Sequence, residues 1–254
     1  MVILLTNDDG IHAPGLRALH RALSADGHEV NVVAPLTEQS AVGHSVTIFS
    51  PVRIREIHEN GFFGLGLSGT PVDCVKWALN HHLQNRPDLI ISGINNGANV
   101  GVDILYSGTV SAATEGALAG IPALAASLDE FTPRDMSREA RWISDMIHDF
   151  DFKCLPERCV LNLNFPAGGP EKSLGIKVCP QTDVVYNDEY EERNDPRGRP
   201  YYWLSGDIPM HRVRSGTDRH QLSAGYTTLT PLKFDLTNEK ALGQVEDFFK
   251  EKSI

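Results

Sequence analysis

The chain opens with MVILLTNDDGIHAPG, residues 1–15. Val2 to Leu5 is an unbroken apolar run, and a polar turn holding two adjacent aspartates closes it. A short apolar run bounded by turn residues is the signature of a strand buried on both faces, as in a parallel sheet. Asp9-Gly10 is a turn signal, and Pro14 suits the first turn of a helix. Leu16, Leu19, His20 and Leu23 then recur at helical spacing as far as Ala25, and Val30 to Ala34 (VNVVA) is a second apolar run. Residues 2–34 therefore read as one βαβ unit.

The alternation continues outward from that unit. Thr70 to Leu83 reads as a helix, Leu89 to Ile91 as a strand, and Thr109 to Ala119 as a helix. Pro122 to Ser127 follows as a strand, Arg138 to Phe150 as a helix and Cys159 to Leu163 as a strand. This order predicts an α/β fold whose mostly parallel sheet is covered by helices on both faces. From about residue 170 the pattern changes. Lys177 to Glu192 and Arg199 to Leu204 read as a long hairpin around Asn194-Asp195-Pro196-Arg197-Gly198, and Tyr226 to Leu229 as a further strand. Asn238 to Lys250 places Leu242, Val245, Phe248 and Phe249 on one helical face. Repeats, low-complexity stretches and linkers are absent. Residues 1–254 thus read as a single domain, with the hairpin (about 177–204) and the tail (238–254) as appendages for subunit contact.

Composition bounds the partners. The 254 residues are 41% hydrophobic and 22% charged, with a formal net charge of -10. That balance argues against nucleic acid or an anionic membrane as partner. A small phosphorylated substrate remains open, because a bound cation reverses the local sign. Cys74, Cys154, Cys159 and Cys179 are widely spread with no CxxC, which fits reduced thiols better than zinc or disulfides. The N-terminal apolar run is too short for a signal peptide or a membrane span, so the expected location is the cytoplasm.

In open parallel sheets, ligands bind beyond the carboxyl ends of the strands, where Asp8 and Asp9 fall. A bend at Asp9-Gly10 lets both carboxylates converge. Convergent carboxylates repel unless a hard divalent cation lies between them, and oxygen ligands suit Mg²⁺, Mn²⁺ or Ca²⁺. The structural alternative is helix capping, for which one aspartate suffices. Two further strand-end loops supply neutral oxygens: Pro35 to Ser45, and Ser92 to Gly101 (SGINNGANVG). The second carries Gly93, Gly97 and Gly101 with three asparagines between them, a composition that cannot pack a core. Long loops of this kind are usually functional. It runs into Tyr106-Ser107-Gly108-Thr109-Val110, where a helix start is either an ordinary cap or an anion site for phosphate. Thr70-Pro71-Val72-Asp73 reads as a structural capping box. GxGxxG after strand one, GxxxxGK[ST], GxSxG and HExxH are all missing.

Taken together, TNDDGIHAPG, Ser40 in the second loop, SGINNGANVG and YSGTVSAATEG resemble the stationary-phase survival protein family, SurE. The resemblance extends to GTPVDCV (69–75), NDPRGRPYYWL (194–204) and GTD (216–218). It implies a metal-dependent 5'/3'-nucleotidase that hydrolyses nucleoside monophosphates, with short polyphosphate as a further substrate. By position it makes Asp8, Asp9, Ser40 and Asn95 ligands of one Mg²⁺ or Mn²⁺ per subunit, with Asp8 and Asp9 catalytic. Ser107, Gly108 and Thr109, with Asn96 and Asn99, fall around the substrate phosphate. The implied fold is a Rossmann-like three-layer α/β/α core with a projecting hairpin and an exchanged C-terminal segment, assembled as a homodimer or homotetramer. Gly43 and His44 lie in a loop that varies within the family. Two rivals differ in chemistry. A covalent aspartyl phosphohydrolase requires Asp-x-Asp, whereas these aspartates are contiguous. A non-enzymatic sensor of metal and nucleotide is the alternative for which the missing leaving-group acid leaves room, and steady phosphate release separates it from an enzyme.

Overall fold

The computed structural model describes residues 1–132 and 134–251. Strand β1 (Val2–Thr6) is apolar on both sides because both faces are covered. Ile3 and Leu5 enter one core layer and Leu4 the other. Helix α1 (Pro14–Ala25) starts on Pro14 with no side-chain cap, and Leu16, Leu19 and Leu23 form its buried stripe. Strand β2 (Glu29–Pro35) returns parallel to β1 and completes the expected βαβ unit.

The sheet has nine strands among the described residues. To those two it adds β3 (Ile54–Glu59), β4 (Phe62–Leu67), β5 (Leu89–Asn96), β6 (Ala123–Leu128), β7 (Val160–Phe165), β8 (Ile176–Val178) and β11 (Thr227–Leu232). Their order is β3-β4-β2-β1-β5-β6-β7-β11-β8. The run from β4 to β7 is parallel, and the antiparallel pairs of this sheet are β3–β4 and β7–β11. Helices α1 and α4 (Ser137–Asp149) cover one face, and α2 (Pro71–Trp77) with α3 (Gly108–Leu118) covers the other. This is the three-layer, mostly parallel α/β arrangement expected.

Local chemistry sets the helix starts. Thr70 accepts from Asp73 N at 3.1 Å while the Asp73 carboxylate accepts from Thr70 N at 2.8 Å, so the expected capping box is formed. The α2 segment then passes into a π-helical turn, Ala78–His82, instead of continuing as one α-helix to Leu83. Gly15, in the first turn of α1, lies directly on β5: a Cβ there would sit 2.1 Å from the carbonyl oxygen of Ile94.

Two departures from the expected elements stand out. The β3–β4 pair is additional; only Ile57 of β3 is buried, which is why its sequence carries little strand signal. Lys177 to Glu192 is not one strand. Asp218 interrupts it, its amide donating to Pro180 O and its carboxylate accepting from Thr182 N, at 2.9 and 2.8 Å. Asp218 begins the short helix α5 (Asp218–Ser223). The projecting hairpin is therefore β9 (Asn187–Asn194) with β10 (Pro200–Asp207), antiparallel and exposed throughout. The tail helix α6 (Glu239–Glu251) follows β11, with Leu242, Val245 and Phe249 all about half exposed. Residues 252–254 of the expected tail lie outside the described residues.

Candidate active site

The sheet order reverses between β1 and β5: the chain steps outward from β1 through β2 on one side and from β5 through β6 on the other. At such a switch point, the loops beyond the carboxyl ends diverge and leave a crevice. Asp8 and Asp9 stand at its β1 wall and Asn95-Asn96 at its β5 wall.

Asp8 is 4% exposed and faces the start of α3. Its Oδ2 accepts from Thr109 N at 3.0 Å, and its Oδ1 accepts from the Thr109 hydroxyl. Gly108 packs so closely that a Cβ there would lie 2.7 Å from Asp8 Cβ. The carboxylate thus occupies the helix N-terminus, which favours its charged form. Burial acts the other way and outweighs these bonds, so its pKa is raised.

Asp9 turns to the other wall, where its Oδ2 accepts from Asn96 N at 3.1 Å. Burial, then the neighbouring Asp8 charge, push its pKa up to about 7, and Glu38 adds to the rise. The two aspartates therefore share a region of negative potential. The chain leaves this strand end through Gly10, whose φ of +98° is open to glycine at low cost; the two carboxylates turn to opposite walls of the crevice.

The β2 loop closes the third side. Gln39 N donates to Asp8 O at 2.8 Å, and Gly43 N donates to Tyr106 O at 2.9 Å. Ser40 lies on this loop, exposed, its hydroxyl donating to Glu38 at 2.6 Å. Asn95 uses its Nδ2 to bind Gly97 O at 2.9 Å. Both side chains thus spend donors and keep an oxygen available as an acceptor.

Of the nine candidate residues, Asp8, Asp9, Asn96, Gly108 and Thr109 meet directly in the crevice. Ser107 is the N-cap of α3, its Oγ accepting from Val110 N at 3.1 Å. Asn99 sits elsewhere: its Nδ2 binds Ser127, its amide binds Asn164 and its carbonyl receives Asn162, within a buried asparagine network. Sequence reasoning misses Glu38, although a carboxylate two residues before Ser40 on the same loop is a usable signal.

Does this donor set suit a metal? Among the described residues, no group of three or more His, Cys, Asp or Glu side chains could hold one. The crevice instead offers two carboxylates and neutral oxygens, the donors that hard divalent cations take. The charges acting on Asp9 are both negative, and Asn96 Oδ1 and Asn7 Oδ1 are buried without a hydrogen-bond partner. An oxygen-binding cation fits this surplus of acceptors.

The chain matches the family model described as Survival protein SurE over residues 3–188. It is 57% identical over 242 residues to a protein named 5'-nucleotidase SurE from Nitratidesulfovibrio vulgaris, covering 95% of this chain and 90% of that one. A protein of the same name from Solidesulfovibrio magneticus is 55% identical over 245 residues, covering 96% of each chain. Among solved structures, that of the SurE protein from Aquifex aeolicus superposes with a TM-score of 0.82 at 38% identity, covering 98% of this chain and 99% of that one.

Proposed function

This chain belongs to the SurE family, and from that premise we propose that it is a 5'-nucleotidase, a phosphoric monoester hydrolase that converts nucleoside monophosphates to nucleoside and phosphate. The observation that carries the reading is the Asp8–Asp9 pair at the sheet's switch point, set against the N-terminus of α3, where the charges that act on Asp9 are negative.

Asp8, Asp9, Ser40 and Asn95 would hold one divalent cation, Mg²⁺ or Mn²⁺. When bound, it supplies Lewis-acid polarisation of a phosphoryl oxygen and acidifies a water molecule. Asp9 engages one carboxylate oxygen with Asn96 and keeps the other to accept the water's proton. At the α3 N-terminus, where Thr109 N is taken by Asp8, Ser107, Gly108 and Thr109 would lie around the phosphoryl oxygens as charge develops on them. Asn96, fixed by its backbone amide on Asp9, lines the approach, whereas Asn99 is held away from it in the buried asparagine network. The phosphorus–oxygen ester bond breaks, the water oxygen ends on phosphorus, and the leaving oxygen takes up a proton. Short polyphosphate shares the terminal phosphoryl group and is a second substrate of the same site.

The exposed hairpin and tail are the contacts of a homodimer or homotetramer, as their apolar side chains suggest. All four cysteines are unpaired, in keeping with a reducing cytoplasm. Among the described residues, no helix is long and apolar enough to cross a membrane.

The test is phosphate release from nucleotides and polyphosphate with each metal, alongside melting curves. Asp8→Asn should lose more than about a hundredfold in turnover, and Ser40→Ala, which removes a neutral oxygen that water can replace, roughly tenfold. With chelator, Asp8→Asn should melt at or slightly above wild type, because a like-charge repulsion is gone. With Mn²⁺ at a hundredfold excess over Kd, wild type should gain roughly 2.7 kcal/mol that the variant lacks. Wild-type activity and metal response in Asp8→Asn would sink the reading.

A further inference from the structure

Tyr106 is 60% exposed, yet its backbone is fixed on both sides. Its amide donates to Asp103 O at 3.0 Å, and its carbonyl accepts from Gly43 N at 2.9 Å. The turn that carries it, Gly101–Leu105, is clamped from beneath. Gly101 N donates to the buried Asp218 carboxylate at 2.8 Å. Arg219 donates to Val100 O at 3.1 Å and pairs with Asp103. The Gly216-Thr217-Asp218 stretch, which takes no part in the chemistry of the crevice, thus holds this turn in place.

In the chain Tyr106 immediately precedes Ser107, Gly108 and Thr109. Gly108 is two residues on from Tyr106, at most about 7 Å of backbone, and it packs on Asp8. A mononucleotide whose phosphate lies beside the start of α3 has its base within reach of this exposed side chain, the ribose spanning the interval. Tyrosine suits such a position, being a large, rigid face with few rotatable bonds. Phe131, 83% exposed, is another aromatic ring near the crevice and lies against Gly97, but among the described residues no comparable clamp holds it.

We infer that Tyr106 is the stacking platform for the nucleobase, and that it favours purine over pyrimidine monophosphates through the larger stacked face. This rests on the nucleotidase reading above. A π-face discriminates by overlap and not by hydrogen-bond pattern, so adenine and guanine should be accepted alike.

The experiment compares AMP with ribose 5-phosphate, which carries the same phosphoester without a base, in wild type, Tyr106→Ala, Tyr106→Phe and Phe131→Ala. Tyr106→Ala should lower the ratio of kcat/KM for AMP to that for ribose 5-phosphate about tenfold, through KM, and erase the preference for AMP over CMP. Tyr106→Phe should keep both. Melting temperatures report folding, and each ratio is internal to one preparation, so partial misfolding cancels. An unchanged ratio in Tyr106→Ala, or a loss seen only in Phe131→Ala, overturns the assignment. Equal wild-type use of AMP and ribose 5-phosphate overturns it too, while leaving the phosphatase reading intact. No phosphate release from either ester removes that reading first.

Discussion

Strand β1 and strand β10 show how differently two parts of this chain are held. In β1, Ile3 to Thr6 are all buried, packed between two helical layers. In β10 every residue is exposed, Tyr201, Tyr202, Trp203 and Leu204 included. The core strand is apolar without alternation because both faces are covered. The hairpin sets aromatic residues against acidic ones across its pairs, with Tyr202 opposite Glu192 and Trp203 opposite Glu191. A two-stranded hairpin is at best marginally stable alone. The core is therefore specified by its own packing, whereas the appendages depend on what they meet.

Paired substitutions push on that difference. The largest effect belongs to Gly15→Ala, where the new Cβ meets backbone at 2.1 Å. Backbone cannot yield as a side chain does, so a loss of roughly 3 kcal/mol is expected by denaturant unfolding. Gly198→Ala, in the hairpin turn at φ +78° with open space around it, should cost only about 1 kcal/mol. Equal costs would mean that the hairpin turn is as confined as the core.

Next comes the ion-pair cluster that ties the β2 loop to the helices. Glu115, on α3, receives His44 at 3.0 Å and Lys76 at 2.6 Å. The His44 hydrogen bond, ahead of Lys76, holds the Glu115 pKa below its ordinary value of 4.5. A depressed carboxylate stabilises the fold above its unfolded pKa, and that contribution is lost as pH falls through the lower folded value. Both partners are substantially exposed, which tempers the pair. Glu115→Gln should cost about 1–2 kcal/mol at pH 7. The gap to wild type should hold down to about pH 4.5 and shrink below it, as read by unfolding at several pH values. A gap independent of pH would mean that Glu115 acts by shape alone.

The smallest effect on the protomer should come from deleting residues 238–254. Leu242 and Val245 are about half exposed, so stability of the protomer should change by less than about 0.5 kcal/mol, while light scattering should report a lower particle mass. Unchanged mass with a markedly lower melting temperature would place the tail in the core and erase the contrast.

Legibility follows the same division. Helix α1 occupies Pro14–Ala25, the span its leucine spacing and Pro14 predict, and the Thr70 capping box forms between the residues that signal it. These are local matters, settled within one or two turns of chain. The apolar pattern of β5 stops at Ile91, but the strand runs to Asn96, because its ladder with β6 resumes at Asn95 beyond an irregularity in register. Polar side chains conceal such an extension when its partner lies elsewhere in the chain. Leu105 and Tyr106 look like an unremarkable lead into a helix until Asp218 and Arg219, more than a hundred residues on, are seen to clamp the turn before it.

The sequence by itself determined the alternating strands and helices, the strand end that carries Asp8 and Asp9, and the glycine turn that follows them. Each follows from periodicity, turn chemistry or repulsion between neighbours in the chain. Only the tertiary structure decided that Asp8 rests on Thr109 and Asp9 on Asn96, that Ser107 caps its helix, and that Asn99 joins a buried amide network while Asn96 faces the crevice. Asn96 meets Asp9 through its backbone amide, a donor that its loop neighbours carry as well. Which of them meets a carboxylate depends on packing across the sheet, and no local signal in the chain encodes that.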